Sequence, residues 1–339
     1  MTLQASGAIS LSQIQTEFTG SNPISLSEYY RSGAYVGNFP GNANIPTSGQ
    51  ISVSQFYSTS RMYAINATLA TNYDQLNLWD WIVATYGTYS IPYAVTFNNN
   101  ARIYSTNASA SAFTTGTGWP SGSTITIVNN SEIIGRGGDG GAGGSIGSGT
   151  GGDGGAGGTA ISLSYPVTIY NNWVIYGGGG GGGGGGLSKS TYLVDGLGLP
   201  APGALYAGGG GGAAQGNGTN GVGAVSSIRS YIGQFERNGA DGGSVSAGVG
   251  GIGGKVRIDS NGKGKDPKNP GDQWIGGDGG NSVGYGQAGN SGNIGIGNYM
   301  NYPYQVYSGG SGGAAGYAVQ TNGNSLTWGT YGTVAGTVA

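Results

Sequence analysis

Gly135-Arg136-Gly137-Gly138-Asp139-Gly140-Gly141-Ala142-Gly143-Gly144-Ser145 decides the reading of this chain, because its side chains fall three residues apart. The register recurs. Thr150, Asp153, Ala156 and Thr159 are spaced the same way, followed by Val249, Ile252 and Lys255, by Ile275, Asp278 and Asn281, and by Ser308, Ser311, Ala314 and Tyr317. Gly286, Gly289, Gly292 and Gly295 invert the pattern, and Gly177–Gly186 carries no side chain at all. A helix with three residues per turn is of the polyproline II type, which has no internal hydrogen bonds and leaves every N–H and C=O pointing outward. Those groups need partners once buried. Two bare edges per turn let neighbouring helices approach and exchange hydrogen bonds, while the third edge carries side chains to an outer face. The 286–295 stretch suits an edge, and Gly177–Gly186 should be the most surrounded element.

Other glycine-rich designs fit less well. Collagen requires one Gly in strict period and abundant Pro, whereas only 11 Pro occur here and hardly any within the runs. Calcium-binding nonapeptides need the order Gly-Gly-x-Gly-x-Asp, but Asp139, Asp153, Asp241 and Asp278 are each followed by Gly-Gly at irregular separations. Flexible linker is the usual state of Gly-rich chain, yet a coil has no reason to keep a three-residue register over several segments.

Composition narrows the function. Gly supplies 78 of 339 residues, charged residues are 8% and apolar ones 36%, so a conventional side-chain core cannot fill this length. The 23 Tyr, 6 Trp and 6 Phe provide the rigid apolar area that disordered chains lack. With no Cys and no His, disulfides, thiol catalysis, imidazole or thiolate metal sites and every His-containing triad are excluded, and no cofactor is expected. A formal charge of −2 offers nothing to a phosphate backbone, so nucleic acid is not an expected partner. Nothing in the sequence marks the chain for membrane insertion or secretion. Gly-x-Ser-x-Gly at 143–147 and 309–313 is expected by chance in this composition and lacks a base.

The first 60 residues use one motif three times: Ile9-Ser10-Leu11-Ser12-Gln13-Ile14, Ile24-Ser25-Leu26-Ser27-Glu28-Tyr29 and Ile51-Ser52-Val53-Ser54-Gln55-Phe56. A Ser followed three residues later by Gln or Glu is a capping box. Three short capped helices are expected, too short to stand alone, with Ile9, Leu11, Ile14, Phe18, Ile24, Leu26, Tyr29, Ile51, Val53 and Phe56 packing together or on a partner. A self-contained cap and a docking module both fit.

Between residues 61 and 134 a β-rich stretch is expected. Tyr73, Leu76, Trp79, Ile82, Val83 and Tyr86 predict one amphipathic helix over Tyr73–Tyr86, stopped by Gly87, with Asp74 and Asp80 as solvated helix charges. Ala94–Phe97, Ala101–Tyr104 and Thr124–Val128 read as strands. Thr126–Gly135 repeats as Thr168–Gly177, each copy a strand, an Asn-Asn turn and a second strand leading into a glycine run, which points to stacked rungs.

The inserts Leu187–Ala207, Ala213–Asn238, Lys255–Trp274 and Asn298–Tyr307 differ in character from the runs that they join. The third holds five of the chain's 12 basic residues. Loops of Tyr, Trp, Asn, Ser and Gly on a rigid scaffold have the composition of binding surfaces, where aromatic area is presented at low entropy cost. The candidate contact residues are Tyr192, Tyr206, Tyr231, Phe235, Lys263, Lys265, Trp274, Tyr299, Tyr302, Tyr304 and Tyr307. A plain crossover role, with the aromatics covering the ends of the glycine runs, is the alternative.

Thr126–Gly144, Ile169–Gly186, the later glycine blocks and Gly312-Gly313-Ala314-Ala315-Gly316-Tyr317 resemble the tail-fiber adhesins of T-even-like bacteriophages over residues 123–339. The resemblance implies a sandwich of packed polyglycine II helices, and variable loops that recognise an outer-membrane protein or surface glycan of the host. The Ser6–Ser12 block is similar to one found in many tailed-phage virion proteins and departs from the T-even adhesin's own attachment domain. The expected fold is mostly irregular and β. It comprises a helical virion-attachment module over 1–60, a β-rich domain over 61–134 with one amphipathic helix, and a polyglycine II receptor-binding domain over 135–339. The expected function is non-enzymatic: a virion adhesin at the tail or tail-fiber tip, partnered by phage tail or fiber proteins through the first module. A structural tail component whose inserts touch sister virion proteins is the alternative, and a glycan depolymerase using Asp/Glu pairs a third reading.

Overall fold

The computed structural model describes residues 2–145, 149–190, 192–194, 200–202, 205–206, 234–237, 255–257, 273–275, 279–281, 284–297 and 304–339. Near its start, Ser10 caps α1 (Leu11–Phe18): its Oγ accepts from the Gln13 N–H at 3.2 Å, and the Gln13 side chain accepts from the Ser10 N–H at 2.7 Å. Ser25 and Ser52 close the same box over 3₁₀ turns at Leu26–Tyr29 and Val53–Phe56. None of these turns could persist alone. They are held by a shared core in which Ile9, Ile14, Phe18, Tyr29, Val36, Ile45 and Phe56 are buried and Leu11, Ile24, Leu26, Ile51 and Val53 pack around them. The buried Glu17 fastens this module to the next segment by accepting from Ser60 Oγ at 3.1 Å and the Arg61 N–H at 2.9 Å.

The following chain winds into a parallel stack. Its strands are β1 (Tyr63–Leu69), β2 (Tyr73–Asp74), β3 (Leu76–Asn77), β4 (Tyr93–Asn99), β5 (Ile103–Tyr104), β6 (Phe113–Thr114), β7 (Thr124–Asn129), β8 (Glu132–Ile134), β9 (Ile161–Ser162), β10 (Val167–Asn171) and β11 (Val174–Tyr176), with α2 (Leu78–Tyr86) between β3 and β4. Short strands in the inserts follow: β12 (Ser188–Ser190), β13 (Tyr192–Val194), β14 (Pro200–Pro202), β15 (Leu205–Tyr206), β16 (Gln234–Arg237), β17 (Lys255–Arg257), β18 (Gln273–Ile275), β19 (Ile296–Gly297) and β20 (Tyr304–Val306). The chain then returns to the stack with β21 (Val319–Gln320), β22 (Leu326–Thr330) and β23 (Thr333–Ala335). Three sheets result, ordered β1-β4-β7-β10-β22, β2-β5-β8-β11-β23 and β3-β6-β9-β21, all parallel. Each of the first four turns of the chain thus places one strand in each sheet, and the fifth adds β22 and β23 to the first two.

The inner positions of the three sheets fill one core, where Phe97, Ile127 and Ile169 of the first sheet meet Ile103, Ile133 and Ile175 of the second and Phe113, Ile161 and Val319 of the third. The repeat read from the sequence is the register itself: Thr168 pairs with Thr126, Asn171 with Asn129 and Ile175 with Ile133. At the corner between the first two sheets, buried Asn side chains form a ladder. Asn99 Nδ2 donates to Asn129 Oδ1 and Asn129 Nδ2 to Asn171 Oδ1, each at 2.8 Å. A second ladder outside it joins Asn100, Asn130 and Asn172.

The helix expected over Tyr73–Tyr86 is shorter. Tyr73 and Leu76 pair with Ile103 and Phe113 in the second and third sheets, Gln75 between them adopts a φ of 57°, and α2 starts only after Asn77, whose Oδ1 accepts from the Asp80 N–H at 3.4 Å. Asp74 is therefore not a helix charge. It accepts from the Thr106 N–H at 3.0 Å and Thr106 Oγ1 at 2.7 Å. Gly87 ends α2 as expected, its φ of 85° lying in the region that Gly occupies without strain.

Glycine segments leave the stack where β8 and β11 end and return at β9 and β21. They run side by side, exchanging backbone hydrogen bonds at every third residue. Gly138, Gly141 and Gly144 donate to Gly179, Gly182 and Gly185, each at 2.8 Å. Gly178, Gly181 and Gly184 donate to Gly158, Gly155 and Gly152 at 2.8–2.9 Å, and Gly310, Gly313 and Gly316 donate to Gly184, Gly181 and Gly178 at 2.7–2.8 Å. Gly180, Gly183 and Gly186 donate to Gln287, Asn290 and Asn293, and Gly183 accepts from Gly280. Gly177–Gly186 is buried along its whole length, while Ala142, Thr150, Asp153, Ala156, Ser308, Ser311 and Ala314 are exposed. A Cβ at Gly181 would fall on the Asp139 carbonyl, so the close approach requires Gly there.

Candidate functional site

The glycine segments fix where the inserts emerge. Leu187 donates from its N–H to the Gly149 carbonyl at 2.7 Å, Tyr307 to the Leu187 carbonyl at 2.9 Å and Gly295 to the Tyr307 carbonyl at 3.2 Å. Four chain segments therefore converge at the end of the glycine lattice away from the stack. On this end β12 pairs antiparallel with β15 and β20, while β16, β17, β18 and β19 form a second antiparallel sheet in that order. β19 lies against both β12 and β20, joining the two sheets. β13 and β14 form a separate pair.

Six of the sequence-predicted contact residues fall on this framework. Tyr206 of β15 stands opposite Ser188, and Tyr304 of β20 opposite Ser190, two positions apart along β12. Phe235 stands opposite Val256, Val256 opposite Trp274, and Trp274 opposite Gly297, a single cross-strand row. Tyr192 faces Pro202 across the β13–β14 pair. Tyr307 opens the returning glycine segment: its hydroxyl donates to Gln305 Oε1 at 3.1 Å, and its ring lies over Gly149. Tyr231, Lys263, Lys265, Tyr299 and Tyr302 lie outside the described residues.

Among the described residues, the carboxylates of the lattice are engaged in local structure. Asp139 pairs with Arg136 at 2.6 Å, and Asp153 accepts from the Ser311 N–H at 2.7 Å, bridging two glycine segments. Among the described residues no group of three His, Cys, Asp or Glu could hold a metal ion, and no helix is long and apolar enough to cross a membrane. At the stack end, Tyr285 lies flat on Tyr176 with ring centroids 4.8 Å apart, and burial raises its phenol pKa above 10.0. The Arg102–Glu132 pair at 3.4 Å sits beside it, the Arg102 charge opposing that rise and the Glu132 charge adding to it.

Sequence reasoning missed the buried Asn ladder and the return of the last residues to the stack. Asn99-Asn100 before Ala101–Tyr104 stands in the same place as Asn129-Asn130 before Ser131–Ile134, a signal that was available.

A wound parallel stack that extends into hydrogen-bonded glycine segments, with small strand-bearing inserts at the far end, defines a glycine-rich scaffold that presents loops. A family model described as phage tail fibre adhesin Gp38 matches residues 64–339. The chain belongs to this family and is a bacteriophage tail fibre adhesin, a virion protein of the tail fibre, and the family is one of adhesins and not of enzymes. The match begins at the second residue of β1, well before the span in which the sequence resemblance was found. Among solved structures, the crystal structure of the gp37-gp38 adhesin tip complex of the bacteriophage S16 long tail fiber is similar, with 22% identity over 86% of this chain and 88% of that chain and a TM-score of 0.45. No curated protein matches the chain.

Proposed function

We propose that the chain binds a receptor on the host surface, an outer-membrane protein or a surface glycan, through the loops between residues 187 and 307. The observation that carries this reading is the convergence of Gly149, Leu187, Gly295 and Tyr307 at the far end of the lattice, where β12, β19 and β20 adjoin it. The glycine segments act as a sandwich of polyglycine II helices, with side chains on the third edge and backbone inside. A ten-residue run in this geometry spans roughly 30 Å, enough to hold the loops well clear of the stack. Tyr192, Tyr206, Tyr231, Phe235, Lys263, Lys265, Trp274, Tyr299, Tyr302, Tyr304 and Tyr307 are the contact candidates, chosen for aromatic area and charge in these loops.

The division of labour follows. Residues 1–60 attach to other tail or fibre proteins, residues 61–134 begin the β-rich stack, and residues 135–339 supply the receptor-binding part together with the last strands of the stack. The test is binding of the labelled full-length chain to strains that the phage infects, with the inserts 187–207, 213–238, 255–274 and 298–307 shortened one at a time. Loss of binding from one shortened insert, with an unchanged melting profile, supports the reading. Full binding by all four variants contradicts it and favours a structural role.

A further inference from the structure

Six large apolar side chains are exposed among the described residues, and three of them gather on the last two rungs of the stack: Tyr170, 41% exposed, Trp173, 57%, and Tyr331, 53%. Apolar side chains exposed singly need no explanation, but a cluster marks a contact surface. The stack itself does not require these rings. Tyr170 stands in register with Val128, and Trp173 falls where the preceding rung has Ser131, since Asn171 pairs with Asn129 and Val174 with Glu132.

Neighbouring groups hold the rings in place. Tyr170 lies between the buried Ile169 and Asn171 and so points away from the core. Its ring covers Gly329 of β22, where an added Cβ would collide with it. Tyr331 packs edge-on against Trp328 with centroids 4.8 Å apart, and its carbonyl accepts from Asn171 Nδ2 at 2.8 Å. Trp173 turns the same corner one rung earlier, its carbonyl accepting from the Thr333 N–H at 3.0 Å.

The surroundings of these rings are polar and uncharged. The exposed Asn172 donates from Nδ2 to Asn130 Oδ1 at 2.8 Å and accepts at Oδ1 from Thr330 Oγ1 at 3.2 Å. These bonds use one of its two N–H groups and one of its two lone pairs, leaving a donor and an acceptor side by side. Residues 160–176 and 318–339, which build the last two rungs, contain no Asp, Glu, Lys or Arg. A pyranose has the matching chemistry: an apolar C–H face for an aromatic ring, and a rim of hydroxyls for an amide that donates and accepts. A protein strand added to the open edge of β22 would fit less well. It would lie beyond the last rung and leave Tyr170 and Trp173, one rung back and facing outward, uncovered.

We propose that this corner is a second binding site, separate from the inserts, for an uncharged oligosaccharide of the bacterial surface. Sugar rings stack on Tyr170, Trp173 and Tyr331, and their hydroxyls bond Asn172 and Thr330. The site stands independently of the receptor reading of the loops, which emerge at the end of the lattice away from the stack.

The test titrates the full-length chain with polysaccharide released from the lipopolysaccharide of a strain that the phage infects and, in a second arm, with capsular polysaccharide of that strain. Saturation-transfer NMR and calorimetry read the binding, which is expected in at least one arm, and the arm that binds identifies the source. Trp173→Ser and Tyr170→Val, which install the residues of the preceding rung, should each weaken it by a factor of roughly 10 or more, the scale of a lost aromatic anchor, with an unchanged melting profile. Shortening any of the four inserts should leave it unaltered. Absence of binding in both arms overturns the proposal, as does binding that survives both ring substitutions or is lost with an insert. A virion protein that binds the unaltered chain but not Trp173→Ser would assign the corner to a protein partner and overturn it too.

Discussion

The stack and the glycine lattice are made from one continuous chain, which passes between them at Ile134–Gly135 and Tyr176–Gly177, and they solve the burial of backbone in opposite ways. In the stack, strands pair edge to edge and side chains such as Phe97, Ile133 and Phe113 fill the space between sheets. In the lattice there is no space to fill. Backbone packs on backbone, one or two N–H groups in every three cross to a neighbour, and side chains lie along the outer edges. The stack thus tolerates any apolar side chain of the right volume, whereas the lattice interior tolerates no side chain at all.

Substitutions can break this contrast. The largest effect is expected at Gly181, where even a Cβ meets the Asp139 carbonyl and the run is hemmed in by backbone on several sides. Gly181→Val should cost at least about 3 kcal/mol, the upper end for overpacking where neighbours cannot yield, and leave no folded lattice by circular dichroism and proteolysis. Phe97→Ala, fully buried in the stack, should cost about 3–5 kcal/mol in chemical denaturation but leave a foldable protein. Asn129→Ala strands the Asn99 amide and the Asn171 carbonyl, and should cost about 2 kcal/mol in the same assay. On the lattice exterior, Ala156→Ser should change stability by no more than about 0.5 kcal/mol.

Alkaline pH sharpens the comparison by a different route. Burial raises the phenol pKa values of Tyr29, Tyr63 and Tyr93 above 10.0, which lie in the N-terminal module and the stack. Because the folded state holds these groups neutral and the unfolded chain ionises them from about pH 10, their contribution is present below that pH and is lost as pH rises above it. Melting followed from pH 8 to 11 should show the module and stack weakening above about pH 10. The Gly177–Gly186 backbone has no titratable group, so its protection should fall only when the stack does.

What could be read from the sequence follows the same division. The period of three was legible because the lattice forbids side chains at two positions in three of segments such as Gly135–Gly144, and at one in three along the 286–295 edge. The Thr126 and Thr168 copies were legible because register forced the same residues into the same places. Two-residue strands such as Tyr73–Asp74 are too short for a period-two signal, and Tyr73, Leu76, Trp79 and Ile82 happen to match a helical spacing, so the start of α2 was misread. The return of Val319–Ala335 to the stack is a long-range pairing with no local mark. The candidate contact loops were recognisable by composition alone, since nothing in a loop's sequence says which residues a partner will touch.

Hydrogen exchange of the Gly177–Gly186 amides tests the central claim most directly, since these residues belong to no α-helix and no β-strand. The account predicts that the amides of Gly177, Gly178, Gly180, Gly181, Gly183, Gly184 and Gly186 are among the slowest in the molecule, exchanging only with global unfolding, because each donates to a carbonyl of another segment. Exchange at the rate of an unstructured glycine chain would contradict it.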